Sequence, residues 1–414
     1  MSSDVAEMAR IGSDVPDGWH PCKLGEVAVL GGGTTPSRAE EAYWRDAAIP
    51  WATPSDITSL PIGVSNISET ESRVSDRAMA ECSLPLNPPG TVLMTSRATI
   101  GFAAINTVPM TTNQGFITFK AGERLDPAFL LHWVTASRSD LVAAAGGSTF
   151  KELSRGTAKL LPILLPPLDE QRRIAEVLRS VDEAIAVAEV ALTASQAVHR
   201  LLLEALFGVC FSEAHVEGEK IATIRQVCER VTYGFTNPMP TTDQGPWMLT
   251  AANVRHGWID YNSARHTSVA AYTNDISEKS RPPIGAVLVT KDGTLGRVAR
   301  VDRADVCINQ SVAVLIPDAT AVDGKFLSYL LQCPTGQERM LADSGGSSVK
   351  HIYISKLAEL PFALPPMNVQ RERAMFAEES ERAVQDQIRT VEGLLALKSH
   401  VMSDLLSGHV RVPA

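Results

Sequence analysis

The sequence predicts an α+β protein with two similar globular domains, separated by a pair of long antiparallel helices and related by an internal pseudo-two-fold repeat. The first observation is the stretch from Leu165 to Phe207, where a Pro-Pro pair opens a long apolar periodicity. The second is the recurrence of that combination from Leu364 to Leu406. The third is the sequence before each stretch, where short β-type segments are broken by Gly and Pro turns, as is typical of mixed domains.

Each Pro-Pro pair marks the start of a long helix. Proline fixes φ and cannot continue a preceding helix, and the Asp169 or Asn368 that follows can cap the next one. Apolar positions then alternate at spacings of three and four, which is the pattern of a coiled-coil seam. The predicted seam positions are Leu178, Val181, Ile185, Ala188, Leu192, Ser195, His199, Leu202 and Leu206 in the first helix, and Ala377, Glu381, Val384, Ile388, Val391, Leu395, Lys398, Met402 and Leu405 in the second.

We expect the two long helices to pack on each other. Helices of about 38 residues exceed the ordinary globular length, and each would be about 57 Å long at a rise of 1.5 Å per residue. If the first helix leads away from one globular block and the second returns from the other, the pair is antiparallel. The alternative is that each helix packs only on its own globular block.

The predicted boundaries follow from these elements. Residues before Gly18 are polar and without periodicity, so we expect a tail there. A further helix is predicted from Pro127 to Ala145, with a C-cap at Gly146. The expected segments are a tail at 1–17, a domain at 18–168, a helix at 169–208, a domain at 209–367, a helix at 368–408 and a tail at 409–414.

Composition narrows the class of protein. The chain has 414 residues, too many for one hydrophobic core. No run is long and apolar enough to span a bilayer and the start lacks a signal peptide, so we expect a cytoplasmic protein. The six scattered cysteines indicate neither a zinc site nor a disulfide framework. A net charge of -9 excludes a uniform basic coat, so any nucleic-acid binding must come from local patches.

The second half of the chain repeats the first. The segment from Gly90 to Gly101 aligns with Gly285 to Gly296, a displacement of 195 residues from position 90 to position 285. Several independent matches in one order are hard to obtain by chance. The further matches are Asn113-Gln114 with Asn309-Gln310, Gly146 to Lys151 with Gly345 to Lys350, and Pro166-Pro167 with Pro365-Pro366.

The motifs of the repeats resemble the specificity subunit of type I restriction-modification enzymes, over a span from about Gly18 to Gly408. The second half departs from the pattern where Lys291-Asp292-Gly293 replaces Ser96-Arg97-Ala98 and where Met367-Asn368-Val369 replaces Leu168-Asp169-Glu170. The resembling motifs are Gly33-Thr-Thr-Pro-Ser37, Met94-Thr-Ser-Arg-Ala-Thr-Ile-Gly101, Thr112-Asn-Gln-Gly-Phe116 and Leu165-Pro-Pro-Leu-Asp-Glu-Gln-Arg-Arg-Ile174.

This resemblance implies a DNA sequence-specificity subunit that is not catalytic itself. Each target-recognition domain would read one half of a bipartite, asymmetric target in double-stranded DNA. The helices would set the gap between the half-sites and dock two methyltransferase subunits, and restriction subunits can join such an assembly. No cofactor is expected in this chain, since S-adenosylmethionine, ATP and magnesium would belong to partner subunits. The alternative is a protein-interaction scaffold with two repeated domains and no direct DNA contact.

Polar loop residues are the candidates for DNA contact. The loop before Gly101 offers hydroxyl groups and a guanidinium, which suit a phosphate or a guanine edge, although a solvated turn would look the same. The amides of Asn113 and Gln114 match the edge of adenine but can equally bond their own backbone. The candidates in the first loop are Thr95, Ser96, Arg97 and Thr99.

Two Gly-Gly segments provide a second kind of candidate. Their backbone N–H groups, beside Lys151 and Lys350, suit a bound phosphate, and a plain helix-ending linker fits the same residues. The remaining candidates are Thr34, Thr35, Arg38, Thr236, Asn237, Asn253, Thr290, Lys291, Thr294, Asn309 and Gln310.

Motifs for catalysis do not support an enzyme. Asn87-Pro88-Pro89-Gly90 superficially resembles the Asn-Pro-Pro-aromatic motif of amino-methyltransferases, but Gly90 cannot stack on a flipped base. No glycine-rich cofactor loop accompanies it, and no Gly-x-x-x-x-Gly-Lys-Ser/Thr loop is present. The sequence therefore favours a turn at Gly90, no metal site and a non-catalytic chain.

Overall fold

The structure of the protein is a computed structural model that describes residues 15–146, 151–212, 220–342 and 350–412. The chain divides into two compact units. The first unit is Met1–Val190 with Arg389–Ala414, and the second is Ala191–Ile388. Each long helix therefore contributes one part to each unit.

The first unit combines short strands with short helices before the first long helix begins. Its strands are β1 His20–Lys23, β2 Ala28–Gly32, β3 Ile49–Ala52, β4 Asn66–Ile67, β5 Arg73–Val74, β6 Val92–Thr95, β7 Ala103–Asn106, β8 Thr111–Thr112, β9 Phe116–Ala121 and β10 Pro162–Leu165. Its helices are α1 Leu24–Val27, α2 Pro54–Thr58, α3 Asp76–Glu81, α4 Pro127–Ala136, α5 Arg138–Ala144, α6 Arg155–Leu160 and the start of the long helix α7, Leu168–Phe207.

The main sheet of the first unit has the strand order β2-β9-β6-β7-β4. Its pairs are antiparallel except for β4 and β7. A smaller sheet, β5-β3-β8, includes the parallel pair of β3 and β8, and β1 pairs with β10. Strand β6 is buried along its whole length, as its continuous apolar run predicts for a central strand. The core on one side contains Trp19, Phe119, Phe129 and Leu178.

The second unit repeats this arrangement of elements. Its strands are β11 Lys220–Thr223, β12 Cys228–Tyr233, β13 Thr242–Leu249, β14 Arg265–His266, β15 Val287–Thr290, β16 Val298–Arg300, β17 Val306–Ile308, β18 Val312–Pro317 and β19 Pro361–Leu364. Its helices are α8 Ile224–Val227, α9 Val269–Asn274, α10 Gly324–Gln332, α11 Pro334–Ala342, α12 Ile354–Ala358 and the start of the long helix α13, Met367–Ser407.

Strand order is the same in the two units, except that the described residues of the second unit contain no counterpart of β4 in the main sheet. The second unit has sheets β12-β18-β15-β16 and β14-β13-β17, and β11 pairs with β19. The parallel pair of β13 and β17 corresponds to that of β3 and β8. Central strand β15 is fully buried, as β6 is. The prediction of an α+β protein with an internal repeat is therefore confirmed.

Two buried glutamines explain why each long helix starts where it does. The amide of Gln171 donates to the carbonyls of Arg124 and Pro166, and its oxygen accepts from the N–H of Asp126 at 2.8 Å. Gln370 makes the corresponding bonds to Ala321, Pro365 and Asp323. Because Asp126 and Asp323 cap α4 and α10, each glutamine ties a long helix to the core of its own unit.

The long helices pack antiparallel within each unit, as predicted. In the first unit Leu178 shares a core with Leu405, and Asp182 pairs with Lys398. The residue number in contact thus increases along α7 while it decreases along α13, which shows that the helices are antiparallel. In the second unit Leu203 shares a core with Ala377, and the imidazole Nδ1 of His199 lies 3.1 Å from the Ser380 hydroxyl. The helices span 40 and 41 residues.

The structure corrects some of the predicted seam positions. Asp182 is buried where Val181 was predicted, and Leu203 and Phe207 are buried where Leu202 and Leu206 were predicted. On α13, Leu395 is 39% exposed. The prediction was wrong at Val181 because a search for apolar residues cannot identify Asp182, a carboxylate that is buried together with a cationic partner.

The helix predicted from Pro127 to Ala145 is divided into α4 and α5 at Ser137. Immediately after the break, Arg138 stacks on the ring of Phe102 at 3.7 Å and donates to the carbonyl of Ile100. The second segment therefore turns onto the loop around Gly101, which a single straight helix could not contact.

The C-terminal residues of the described chain are anchored in the first unit. Arg411 donates to both oxygens of buried Glu170, at 2.7 and 2.8 Å, and Glu170 also accepts from the indole of Trp19. The Arg411 guanidinium holds the pKa of the Glu170 carboxyl below its usual value. The contribution of this ion pair to stability is therefore present above pH 4.5 and is lost as the pH falls through the folded-state pKa.

The six cysteines all lie in described residues, and none of them forms a disulfide bond there. Burial raises the pKa of Cys228, Cys307 and Cys333 to about 12, so these thiols are protonated and not nucleophilic at neutral pH. In the part of the chain that the structure describes, no helix is long and apolar enough to cross a membrane. The same residues contain no cluster of three or more His, Cys, Asp or Glu side chains that could hold a metal ion.

Candidate nucleic-acid interface

Backbone hydrogen bonds bring four separate segments of the first unit to one surface. The N–H of Ser96 donates to Gly115 at 2.8 Å, that of Leu153 donates to Ser96 at 2.8 Å, and that of Thr34 donates to Thr112 at 3.0 Å. We call the surface around Thr34, Ser96, Gly115 and Leu153 the first loop face. It gathers most of the residues predicted for DNA contact in this half of the chain.

The second unit builds the corresponding surface with the same bonds. The N–H of Lys291 donates to Ser311, that of Ile352 donates to Lys291, and that of Phe235 donates to Ile308, at 2.9 to 3.0 Å. We call the surface around these residues the second loop face. One backbone framework thus carries two different sets of side chains.

Two of the predicted contact residues hold their loops instead. Thr95 and Thr290 have no solvent exposure. The Thr95 hydroxyl contacts the carbonyl of Thr99 and accepts from the N–H of Phe102, and the Thr290 hydroxyl accepts from the N–H of Arg297. The predicted contact role is corrected for both residues, because a fully buried hydroxyl that is already bonded cannot reach DNA.

Burial also argues against direct DNA contact by three further candidates. Asn253 is 4% exposed, and its amide bonds Thr250 and Ser263. Ser96 is 2% exposed, and its backbone bonds both Gly115 and Leu153. The hydroxyl of Thr99 is buried and has no hydrogen-bond partner among the described residues. Asn253 and Ser96 therefore support the loops, and the orphaned hydroxyl of Thr99 lies under the first loop face.

Asn113 and Asn309 illustrate the repeat at the level of single atoms. The side-chain oxygen of Asn113 accepts from the N–H of Gly115 at 2.8 Å, and that of Asn309 accepts from the N–H of Ser311 at 3.1 Å. Each asparagine uses its oxygen to close a turn. The neighbouring Gln114 and Gln310 are exposed.

Cationic and polar side chains remain available on the first loop face. Arg97 is half-buried, and among the described residues it forms no ion pair. The hydroxyl of exposed Thr35 contacts the amide oxygen of Gln114. Arg38 lies 3.8 Å above the ring of Trp44, which holds an exposed guanidinium in one place.

A groove of about 550 Å³ crosses the first loop face and contains a residue that the sequence analysis missed. Arg155 lines this groove and its side chain passes over Gly32. Among the described residues Arg155 forms no ion pair, although the carboxylate of Glu152 also lines the groove. The internal repeat could not have indicated Arg155, because the corresponding residue in the second half, 199 positions later, is Ile354.

The second loop face carries a different set of charges. The Lys291 ammonium bonds Asp292 and lies 5.5 Å from the centre of the Tyr233 ring, and exposed Lys279 lies 5.0 Å from that ring. Thr236, Asn237 and Thr294 are exposed. Lys279 and Tyr233 were not predicted. An aromatic ring close to two cations is a signal that appears only after folding, since residue 233 is 46 positions from residue 279 and 58 positions from residue 291.

The Gly-Gly segments lie partly outside the described residues. Residues 147–150 and 345–349 belong to the ranges that the structure does not describe, so the predicted phosphate site at their backbone N–H groups stays a prediction. Lys151 and Lys350 are described and both are exposed. Gly146 pairs through its backbone with Glu152, and the backbone of Glu152 also forms a β-bridge with that of Arg97.

The Asn87-Pro-Pro-Gly90 segment forms a turn. Asn87 is 1% exposed and exchanges backbone hydrogen bonds with Met110. Both the N–H and the hydroxyl of Thr91 bond the carbonyl of Pro88. The segment therefore leads into β6 and does not open onto a cleft for a base.

Gly33 is expected to be required for the close approach that builds the first loop face. A Cβ at this position would lie 2.1 Å from the carbonyl oxygens of Thr112 and Asn113, so Gly33→Ala forces the backbone apart. We expect a loss of about 1 to 3 kcal/mol in unfolding free energy, measured by thermal denaturation. Gly146→Ala is the matched control because a Cβ there meets no atom of the described residues within 4 Å. Equal melting temperatures for the two variants would contradict the prediction.

The fold and its loop faces define a duplicated two-domain binding protein. The family model for the type I restriction modification DNA specificity domain matches residues 16–194 and 241–389. The chain therefore belongs to the type I restriction modification DNA specificity domain family.

Individual relatives agree with this assignment. A stretch of 173 residues is 39% identical to the specificity subunit of the type I restriction enzyme MjaIX from Methanocaldococcus jannaschii, and covers 41% of this chain and 39% of the relative. A stretch of 165 residues is 28% identical to the EcoR124I/EcoR124II specificity subunit of Escherichia coli, and covers 38% of this chain and 40% of the relative. Each match thus spans about two fifths of the relative's length.

Solved structures show the same fold. The S subunit of a type I restriction-modification system from M. genitalium aligns with a TM-score of 0.56 at 13% identity, covering 95% of this chain and 97% of that one. A chain from a study of complex assembly and conformational transition of the type I R-M system aligns with a TM-score of 0.60 at 19% identity, covering 96% of this chain and all of the other.

Proposed function

We propose that this chain is the DNA specificity subunit of a type I restriction-modification complex in the cytoplasm. It has no catalytic role of its own, and each domain reads one half of a bipartite, asymmetric DNA target. The observation that carries the proposal is the pair of loop faces, in which one backbone framework presents two different sets of side chains. Two such surfaces suit two half-sites of different sequence.

The chemistry of the first loop face fits a duplex. Arg97 and Arg155 lack acidic partners among the described residues, so their charges are available to phosphates or to a guanine edge. The exposed amide of Gln114 matches the hydrogen-bonding edge of adenine. Phosphate contacts would provide most of the affinity and base contacts the specificity, despite the net charge of -9.

The second loop face offers fewer unpaired cations and more exposed polar groups. Lys279 and Lys350 are exposed, whereas Lys291 is held by Asp292. Thr236, Asn237, Thr294 and Gln310 complete the exposed set. The second half-site would therefore be read mainly through hydroxyl and amide groups.

The long helices offer surfaces for protein partners. Val187 and Val190 are 70% and 71% exposed in the first unit, and Val198 and Leu201 are 62% and 70% exposed in the second. A spacing of three residues places each pair on one side of α7. These apolar groups support the docking of two methyltransferase subunits, with restriction subunits as further partners. S-adenosylmethionine, ATP and magnesium would be supplied by those partners.

Selection from a pool of random-sequence duplexes, with the full chain and its methyltransferase subunit, tests the function. We expect enrichment of two short sequences at one constant gap, with affinity that falls steeply as salt is raised. The control is the same pool of duplexes passed over the matrix without the protein. A complex that forms but enriches no sequence would identify the chain as an interaction scaffold and overturn the proposal.

A further inference from the structure

A buried ion pair joins the two long helices inside the first unit. The ammonium of Lys398 on α13 lies 2.5 Å from Oδ1 of Asp182 on α7. The two side chains are 20% and 3% exposed. Apart from this ion pair, neither carboxylate oxygen of Asp182 has a hydrogen-bond partner among the described residues. In the part of the chain that the structure describes, the cation paired with Asp182 is therefore Lys398, which belongs to the other helix.

Apolar side chains lie on both sides of this ion pair. Leu178 and Ile185 flank Asp182 on α7 and have no solvent exposure, and Val391 and Leu405 flank Lys398 on α13 with 5% and 4%. Aliphatic side chains repeated at heptad spacing pack almost as well when one helix slides along the other by one heptad. The apolar seam alone thus specifies the register weakly.

The ion pair distinguishes the native register from its neighbours. A slide of one heptad, about 10 Å, brings position 391 or 405 of α13 opposite Asp182 in place of position 398. Those positions hold Val391 and Leu405. A buried carboxylate would then face an aliphatic side chain, which is unfavourable because the buried charge has lost its partner.

The second unit shows that the shared fold does not require this ion pair. Positions 182 and 381 differ by 199 residues, as do positions 199 and 398, so Glu381 and His199 correspond to Asp182 and Lys398. Glu381 instead bonds the hydroxyl of Tyr329 at 2.6 Å. His199 contacts Ser380. The ion pair is therefore a separate feature of the first unit.

A third residue of the first unit lies beside the pair. His132 on α4 is 4% exposed, and burial, followed by the charge of Lys398, lowers its pKa to about 4. The imidazole is therefore neutral at neutral pH, and Lys398 remains the cation that compensates Asp182. Tyr329 occupies the corresponding place on α10, displaced by 197 residues from position 132.

We propose that Asp182 and Lys398 are positioning residues that fix the axial register of α7 and α13 in the first unit, and through it the half-site gap that the protein accepts. The claim that the register sets the half-site gap rests on the proposed function. The claim that the ion pair sets the register does not, and the two claims are tested by separate measurements.

The register is measured on the full chain with nitroxide labels on cysteines at Val187 and Ser403, both exposed in the first unit, after Cys82→Ser and Cys228→Ser. The test variant is Asp182→Leu with Lys398→Leu, which replaces the pair by apolar side chains and keeps the protein folded. We expect one narrow distance with the native pair. The double leucine variant should show an additional distance, changed by up to about 10 Å.

The gap is measured by duplex selection with the same variants. The double leucine variant should accept more than one gap while both half-site sequences stay the same. Asp182→Lys with Lys398→Asp should restore one distance and one gap, because the swapped pair again compensates the buried charge. Asp169→Leu with Arg172→Leu removes an exposed ion pair of the same helix, at 80% and 60% exposure, and should change neither result.

Different outcomes overturn different steps. A single native distance in the double leucine variant would show that the apolar seam fixes the register and would overturn the proposal. An additional distance with an unchanged gap would overturn the step from register to gap. If the native chain selects no bipartite sequence at all, the proposed function fails, while the distance measurement still decides the role of the ion pair.

Discussion

Insertion of one heptad into both long helices, after Val190 and after Ile388, is expected to lengthen the accepted gap by about three base pairs. Seven residues add about 10 Å of helix, and the duplex rises 3.4 Å per base pair. These insertion points fall where the chain divides into its two units, so the contacts inside each unit are retained. Both half-site sequences should stay the same, because neither loop face is altered.

The measurement is duplex selection with the native and the lengthened proteins. Seven residues are close to two full turns, so the apolar seam keeps its orientation through the insertion. Insertion into α7 alone is the matched control, and it should lower the melting temperature because the helices then differ in length. A lengthened protein that retains its native gap would show that the helices only support the domains.

Removal of the guanidinium of Arg97 or Arg155, by Arg97→Ala or Arg155→Ala, is expected to weaken binding about tenfold or more. If the arginine contacts a phosphate, affinity should fall for all sequences and the salt slope should decrease by about one. If it contacts a guanine, the preference at one base of the first half-site should relax. The measurement is titration of labelled duplexes at several salt concentrations.

Lys120→Ala is the matched control for these arginine variants. Lys120 is an exposed cation in the same unit, on β9, and it does not line the groove. Thermal denaturation should be unchanged for Arg155→Ala, since this exposed side chain has no ion pair among the described residues. Native affinity for every duplex at matched salt would remove the substituted arginine from the interface.

Some features of the fold followed from local sequence. The Pro-Pro pairs predicted the start of each long helix, because proline excludes a helix that continues through it. The repeated motifs predicted that both units share one topology. The sequence also showed that Val369 stands in the second half where Glu170 stands in the first. The structure explains this difference, because Glu170 accepts hydrogen bonds from Arg411 and Trp19.

Sequence reasoning was less successful for individual side chains of the candidate site. Thr95 and Thr290 looked like contact residues because they are polar and lie in loops, yet both are buried and bond their own loops. Arg155 was missed because its importance depends on the groove that it lines. Residue type shows what a side chain can bond, whereas its actual partner depends on segments that are distant in the chain.

By itself, then, the sequence determined the α+β class, the duplication and the two long helices, because these depend on periodicity, on proline and on repeated local motifs. Tertiary structure decided which polar side chains are exposed on the loop faces and which are used internally. It also decided that Asp182 belongs to the helix contact, which apolar periodicity alone assigned to Val181. A buried charge can be recognised only with its partner, and Lys398 is 216 residues away, from position 182 to position 398.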